Sequence, residues 1–270
     1  MQYIYNICNN KTKNIICEIN YNEKIIPIWK KNRGYILSLN NIKKNREKCI
    51  IFVHGGSFVS YEPVSKPYYE FSYLLSVNTE LDVFVPDYTL VPHKTYPTQI
   101  NEIIKLTNHL KEIYKDVILI GDSSGGTLAL SCLLKKPKLY FSGILVSPWI
   151  DLESSTNSYY TRAFCKSRKT GDPVFRGTPK KNIKKYKENA LLYLGSKKYI
   201  NNQIANPYKS NNSLLKNLPP TLIIVGDNET IRNDSLDFVS KAQLVNKKIY
   251  ISLYDRMYHD WILDLYKKSK

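Results

Sequence analysis

Six short apolar runs recur along the chain and alternate with segments of helical periodicity. The runs are rich in β-branched residues and nearly continuous in apolar character, which is typical of strands covered by helices on both faces. They span residues 49–53, 82–85, 117–120, 143–146, 221–225 and 248–253. Helical patterns fall between them, at residues 100–113, 125–134 and 234–244. This alternation predicts an α/β fold with a mostly parallel central sheet.

Two stretches do not follow the alternation. Residues 1–45 are polar and rich in Lys and Asn, and residues 151–205 are long and rich in Lys and Tyr, with a predicted helix over residues 181–194. An insertion of this length between strands is usually functional or disordered. We therefore expect one α/β domain over residues 46–270, with residues 151–205 inserted into it and residues 1–45 preceding it.

The net charge is strongly positive, with 40 Lys and Arg against 23 Asp and Glu, or +17. Such a charge suits nucleic acid or an acidic membrane surface. The lysines are nevertheless spread along the whole chain, and no nucleic-acid motif accompanies them. We expect a solvated surface, no nucleic-acid partner and at most weak binding to anionic surfaces. The densest basic patch comprises Lys180, Lys181, Lys184, Lys185 and Lys187.

The five cysteines are scattered and form no C-x-x-C pair. This pattern argues against a disulfide framework and a zinc site, and favours a reducing compartment. The chain has no run of about 18 apolar residues that would span a membrane. Its first ten residues also lack the apolar core of a signal peptide. We expect a cytoplasmic protein with no metal and no cofactor.

Residues 121–125 read Gly-Asp-Ser-Ser-Gly and match G-x-S-x-G. The motif follows a predicted strand and opens a predicted helix, which is the context that it requires. Gly121 and Gly125 leave room for a sharp turn that strains the backbone of Ser123. The hydroxyl then projects above the N-terminus of the helix, where negative charge is favoured. Ser123 is the predicted nucleophile, beside Asp122 of the same motif.

Residues 54–57 read His-Gly-Gly-Ser and follow the first long strand. Glycines here let backbone N–H groups turn towards a substrate carbonyl oxygen. Together with the N–H of Ser124 they would form an oxyanion hole. The predicted donors are therefore Gly55, Gly56, Ser57 and Ser124. His54 of this motif is expected to form structural hydrogen bonds rather than to act as a base.

The remaining members of a Ser-acid-His arrangement should follow Ser123 in that order. Of the four histidines, only His259 has the right place, just past the last predicted strand. The acid should follow the fifth strand, where Asp227 and Glu229 both occur. A carboxylate there would orient the imidazole and stabilise the imidazolium, but spacing alone does not choose between the two. Asp260 is too close to His259 along the chain to be the natural orienting acid.

These motifs, and the order in which they occur along the chain, resemble those of the hormone-sensitive-lipase family of α/β-hydrolases. The similarity covers about residues 45–265 and includes H-G-G-S, P-D-Y-T-L-V-P, G-D-S-S-G-G and S-P-W-I-D-L. The resemblance implies the α/β-hydrolase fold with a helical cap built from residues 1–45 and 151–205. It also implies a serine esterase for short or medium acyl chains, with a small-molecule ester as substrate. The family's D-P-L-R-D pattern aligns with residues 229–234, which favours Glu229 over Asp227 as the acid.

One departure lies in the oxyanion turn, where Ser57 replaces the third glycine of the family's H-G-G-G. Its N–H can still donate, although its Cβ restricts the turn. Two alternatives to an esterase stay open: an arylformamidase-like amide hydrolase, and a catalytically idle binding protein on the same fold.

Overall fold

The computed structural model describes residues 34–37, 47–162 and 171–264. Its strands are β1 (Gly34–Leu37), β2 (Lys48–Val53), β3 (Asp82–Pro86), β4 (Asp116–Asp122), β5 (Ser142–Val146), β6 (Thr221–Gly226) and β7 (Ile249–Tyr254). Its α-helices are α1 (Lys66–Thr79), α2 (Thr98–Leu110), α3 (Ser123–Lys135), α4 (Ser158–Thr161), α5 (Pro179–Leu194), α6 (Asn212–Leu215) and α7 (Arg232–Gln243). Short 3₁₀ helices lie at Pro137–Leu139, Lys197–Tyr199, Pro207–Lys209 and Trp261–Leu263.

The strands form one sheet in the order β1-β3-β2-β4-β5-β6-β7. The neighbours from β3 through β7 are all parallel, while β1 is antiparallel to β3. The predicted α/β fold with a mostly parallel sheet is therefore confirmed. Because the carboxyl ends of parallel strands share one edge, the turns after β2, β4, β5 and β6 meet there.

Strand β2 shows why the apolar runs are continuous rather than alternating. Ile51 and Val53 pack into the larger hydrophobic cluster on one face of the sheet. Ile50 and Phe52 pack into a second cluster on the opposite face, with Tyr68 and Phe71 of α1. Since both faces are covered, every residue of the strand interior is apolar. Helix α1 was not predicted from the sequence, although Pro67 near its start is typical of a first helical turn.

The segment at residues 1–45 differs in part from its expected place in the cap. Its four described residues, Gly34–Leu37, pair with β3 at the edge of the sheet. The register joins Tyr35 to Val85 and Ile36 to Phe84. These residues therefore extend the sheet, because β3 has an open edge on this side, and residues 1–33 and 38–45 lie outside the described part.

The connection between β5 and β6 carries α4, α5 and α6. Helix α5 begins at Pro179, two residues before the predicted start, because Thr178 caps it by accepting the N–H of Lys181. Tyr193 of α5 stacks on Phe58 with ring centroids 4.1 Å apart, and its carbonyl accepts the N–H of Tyr96 at 2.8 Å. These contacts place α5 over the turn that follows β2.

Across the described ranges, none of the helices has the length and apolar character needed to cross a lipid bilayer.

Candidate active site

Ser123 sits at the sharp turn between β4 and α3. Its backbone is left-handed, with φ 49°, which is uncommon for a residue with a side chain. Gly125 makes the turn possible, since a Cβ there would lie 2.1 Å from the carbonyl oxygen of Val53. The turn brings the N-terminus of α3, with its unpaired N–H groups, beside the Ser123 hydroxyl.

His259 lies next to Ser123 and is carried by the loop between β7 and the last 3₁₀ helix. Its Nε2 lies 3.0 Å from Ser123 Oγ, and its Nδ1 lies 3.4 Å from Glu229 Oε2. The His259 side chain is 4% exposed and that of Glu229 is fully buried. The Phe175 ring, from the loop before α5, packs against the imidazole with centroids 4.9 Å apart. The Ser123 hydroxyl, the His259 imidazole and the Glu229 carboxylate thus form a row, with 3.0 Å and 3.4 Å between neighbouring groups.

Glu229 is held by two donors besides His259. Its Oε1 accepts the Ser147 hydroxyl at 2.7 Å and the Gly226 N–H at 2.6 Å. Ser147 follows β5 and was not among the predicted site residues. The Ser-Pro-Trp segment that carried the family resemblance was its only signal in the sequence.

Asp227, the alternative acid, lies apart from His259. Its carboxylate pairs with Arg232 Nε at 2.9 Å and with Arg162 Nη2 at 3.4 Å. The side chain is 27% exposed. The structure therefore brings Glu229, and not Asp227, to the imidazole.

Asp260 is a second carboxylate on the imidazole, and sequence reasoning missed this contact. Its Oδ2 lies 3.0 Å from His259 Nε2, on the nitrogen that also faces Ser123. Adjacency along the chain argued against Asp260 as an orienting acid at Nδ1. The left-handed backbone of Asp260, with φ 54°, instead turns its side chain towards Nε2.

The charges around the imidazole favour its protonated form. Burial alone would lower the pKa of His259, but the charge and hydrogen bonds of Asp260 and Glu229 together raise that pKa well above its usual value. Burial raises the pKa of Glu229, and the hydrogen bonds from His259, Gly226 and Ser147 oppose that shift.

The turn after β2 supplies backbone N–H groups beside Ser123. Gly56 has φ 112° and Ser57 has φ 56°, and both line the same cavity as Ser123. No hydrogen bond within the described part of the chain uses the N–H of Gly56 or of Ser57. These two N–H groups are thus free to donate to a ligand.

The prediction for Gly55 as an oxyanion donor needs correction. Its N–H donates to Asp122 Oδ1 at 2.9 Å, so it is already used inside the protein. A Cβ at Gly55 would lie 2.4 Å from Asp122 Oδ2, so the close approach of the two turns leaves room only for glycine here. Gly55 and Asp122 therefore hold the turn after β2 against the turn after β4.

His54 has the structural position that its sequence context indicated. It is fully buried, and its Nδ1 donates to the Gly55 carbonyl at 2.8 Å. Its ring stacks on Tyr88 with centroids 4.6 Å apart. Burial lowers the pKa of His54 to about 4, so the ring is neutral at physiological pH.

A cavity of about 440 Å³ opens above Ser123. Its lining includes the aromatic side chains of Tyr61 and Tyr68, and Val174 and Phe175 from the loop before α5. Asp260 and Lys185 are charged groups in the same wall. The arrangement places a hydroxyl beside an imidazole, with backbone N–H groups nearby, at a pocket lined in part by apolar side chains. Such an arrangement suits nucleophilic attack on a polarised carbonyl once the imidazole is neutral.

Comparison with known proteins is consistent with this architecture. A model of a family described by its alpha/beta hydrolase fold matches residues 50–263. An esterase of Acinetobacter venetianus is 29% identical over 231 residues, covering 79% of this chain and 67% of its own length. An acetyl-hydrolase of Streptomyces hygroscopicus is 24% identical over 221 residues, covering 79% of this chain and 68% of its own length.

Among solved structures, carboxyl esterase 2 of the fungus Tuber melanosporum superimposes with a TM-score of 0.72 at 22% identity. The match covers 87% of this chain and 75% of that one, and at this identity it shows the fold. The family match, by contrast, spans most of the sequence and includes both turns around Ser123. The chain therefore belongs to the alpha/beta hydrolase fold family, among its hormone-sensitive-lipase-like esterases.

Proposed function

We propose that the protein hydrolyses carboxylic esters of short to medium acyl chains, with Ser123 as nucleophile, His259 as general base and Glu229 as orienting acid. The observation that carries this proposal is the 3.0 Å approach of His259 Nε2 to Ser123 Oγ, with the Glu229 carboxylate on the opposite ring nitrogen. The names of the relatives, an esterase and an acetyl-hydrolase, support the same reaction class.

The first half of the reaction forms an acyl-enzyme. Ser123 Oγ bonds to the ester carbonyl carbon while its proton moves to His259 Nε2, and the carbonyl oxygen becomes an oxyanion. The tetrahedral adduct then collapses, the bond to the alcohol oxygen breaks, and the leaving alkoxide takes the proton from Nε2. Glu229 stabilises the imidazolium that exists between these two proton transfers.

The oxyanion is held by the N–H groups of Gly56, Ser57 and Ser124 in this mechanism. The first two are free within the described part of the chain, and Ser124 lies in the first turn of α3, where helical N–H groups have no partner in the helix. Water repeats the two steps on the acyl-enzyme, so Ser123 and the carboxylic acid are released. The cavity of about 440 Å³ is near the small end of ligand pockets, which range from about 300 to 1,000 Å³, and this size favours small acyl groups.

Hydrolysis of p-nitrophenyl esters tests the proposal. The wild-type protein should hydrolyse p-nitrophenyl acetate and butyrate faster than the decanoate. Ser123→Ala should lower the rate by about 10⁵–10⁶-fold. Equal rates in the two proteins, or a preference for aryl formamides over every ester, would contradict the proposal.

A further inference from the structure

Two oxygen atoms compete for one nitrogen of the catalytic imidazole. Ser123 Oγ and Asp260 Oδ2 each lie 3.0 Å from His259 Nε2. That nitrogen carries either one hydrogen or one lone pair in the plane of the ring. The other nitrogen, Nδ1, already faces Glu229.

The contact with Asp260 is favourable only when the imidazole is protonated at Nε2. A neutral imidazole that accepts the Ser123 hydroxyl presents a lone pair at Nε2, and a carboxylate oxygen presents only lone pairs as well. Two acceptors would then face each other at 3.0 Å. A protonated imidazole instead forms an ion pair with the Asp260 carboxylate across this distance, and an opposite charge in contact favours the charged form of the ring.

The position of Asp260 Oδ2 is also the place where a leaving group belongs. In the proposed reaction the alcohol oxygen must come within about 3 Å of Nε2 to receive its proton. The Asp260 side chain lines the cavity and is 21% exposed, so it has an outward path. Glu229 is fully buried and has none.

We propose that Asp260 is a positioning residue that holds a proton on His259 Nε2 in the free enzyme and yields its place to the leaving group when substrate binds. This inference rests on the proposed function, since it assigns His259 as the base. The proton held on Nε2 keeps the free enzyme inactive until it is lost, and Asp260 thereby sets the pH at which hydrolysis begins.

Other charged and titratable groups also face the imidazole. Glu229 comes from the turn after β6, Asp122 from the end of β4 and Asp172 from the loop before α5. Burial raises the pKa of Asp122 well above its usual value, and the neighbouring Asp260 adds to that shift. Burial likewise raises the pKa of Asp172 to about 6. Further groups nearby are Tyr68 and Tyr186, whose pKa values are raised first by burial and then in part by Asp260, and Lys185, Tyr258 and Asp264 of the cavity wall.

The backbone of Asp260 has a separate role that side-chain variants preserve. Its N–H donates to Ser147 Oγ at 3.1 Å, and this bond does not depend on the carboxylate. Asn tolerates the left-handed conformation of this position well. Asp260→Asn therefore removes the charge with little strain, and Asp260→Ala removes every side-chain contact with Nε2.

The experiment measures kcat/KM against pH, from about pH 4.5 to 9, with p-nitrophenyl butyrate. The acid limb of this profile reports the essential base of the free enzyme. Its midpoint in the wild type should lie above about 6.5, the ordinary value for histidine. In Asp260→Asn and Asp260→Ala it should fall by about one to three pH units, the effect expected for loss of an opposite charge in contact.

Asp255→Asn is the matched control, since it removes the same charge from the same loop. Asp255 is 80% exposed and pairs with Arg256 rather than with His259, so its profile should match the wild type. An unchanged acid limb in the Asp260 variants, or an equal shift in Asp255→Asn, would overturn the inference. Failure of the proposed function looks different, because the wild type would then show no Ser123-dependent hydrolysis at any pH.

A direct titration of the wild type needs no variant to fold. With ¹⁵N-labelled histidine, the ring of His259 can be followed by NMR among only four histidines. The ring should keep both N–H protons above pH 7. Loss of one proton at or below about pH 6.5, as in an unperturbed histidine, would contradict the inference.

Discussion

Ser147 donates its hydroxyl to Glu229 Oε1 at 2.7 Å, from a buried position at the end of β5. The oxygen of that hydroxyl, Ser147 Oγ, accepts the N–H of Asp260 at 3.1 Å. One hydroxyl therefore ties the acid loop to the loop that carries His259. The backbone of Ser147, with φ 45°, is strained for a residue with a side chain.

Loss of this hydroxyl should weaken catalysis without weakening substrate binding. A hydrogen bond to a charged group contributes about 1.5–3 kcal/mol, so Ser147→Ala should lower kcat by about 10–100-fold and leave KM nearly unchanged. Ser147→Gly is the control for backbone strain, because it also lacks the hydroxyl but suits the positive φ. Both variants should lose activity alike in steady-state kinetics. A fully active Ser147→Gly would show that the hydroxyl is dispensable.

The two candidate acids should differ sharply when each is replaced by its amide. Glu229→Gln keeps the shape but removes the charge that stabilises the imidazolium, so kcat should fall by about 10⁴-fold. Asp227→Asn should lower kcat by no more than a few-fold, since Asp227 forms partly exposed ion pairs with arginines. Both values are measured on one activated ester, with circular dichroism to check the fold. The reverse ranking would make Asp227 the acid.

The oxyanion turn should not tolerate a side chain at Gly56. A Cβ there would lie 2.2 Å from the Ser60 carbonyl oxygen at a backbone φ of 112°, so the turn must shift and misplace its N–H groups. Gly56→Ala should lower kcat by about 10²-fold or more, the cost of one lost oxyanion donor. Ser57→Gly keeps the N–H and suits the positive φ, and its kcat should stay within a few-fold of the wild type. A normal kcat for Gly56→Ala would argue against this turn as the oxyanion site.

Asp172 should make the fold less stable as the pH rises. It is buried and accepts the N–H groups of Thr230 and Val174, and burial raises its pKa from 3.8 to about 6. The folded protein then binds this proton more tightly than the unfolded chain. The stabilisation is complete below about pH 4 and is lost as the pH passes 6, a change of about 2–3 kcal/mol.

Urea unfolding at pH 4.5 and pH 7 measures this change. Asp172→Asn cannot titrate, so its free energy of unfolding should fall less between the two pH values than that of the wild type. An identical fall in both proteins would mean that Asp172 is not the group responsible.

The sequence predicted the sheet, and it singled out Ser123 and His259, which lie in contact, because both predictions rest on local patterns with a strict order. Six apolar runs correspond to six parallel strands, and Ser123 and His259 follow the ends of two of them. The place of β1 in the sheet was not predicted, because it depends on pairing with the distant edge strand β3. Helix α1 carries aromatic residues on a face that only the completed sheet defines.

The contacts of Asp260, Ser147 and Gly55 were not readable from spacing. Asp260 reaches Nε2 through a left-handed turn, whereas chain proximity suggested only that it is a poor orienting residue. Ser147 and Glu229 are 82 residues apart, and the use of the Gly55 N–H depends on Asp122, 67 residues away. Such contacts follow from how the turns meet at the sheet edge.

The central claim is that Ser123 is the residue that becomes acylated. The most direct measurement is mass spectrometry of the protein after reaction with a fluorophosphonate probe, followed by peptide mapping. The prediction is one adduct per chain, on the peptide that contains Ser123, with no adduct in Ser123→Ala and slow labelling in Glu229→Gln. Labelling of Ser123→Ala at the wild-type rate, or an unlabelled wild-type protein that still hydrolyses esters, would contradict the claim.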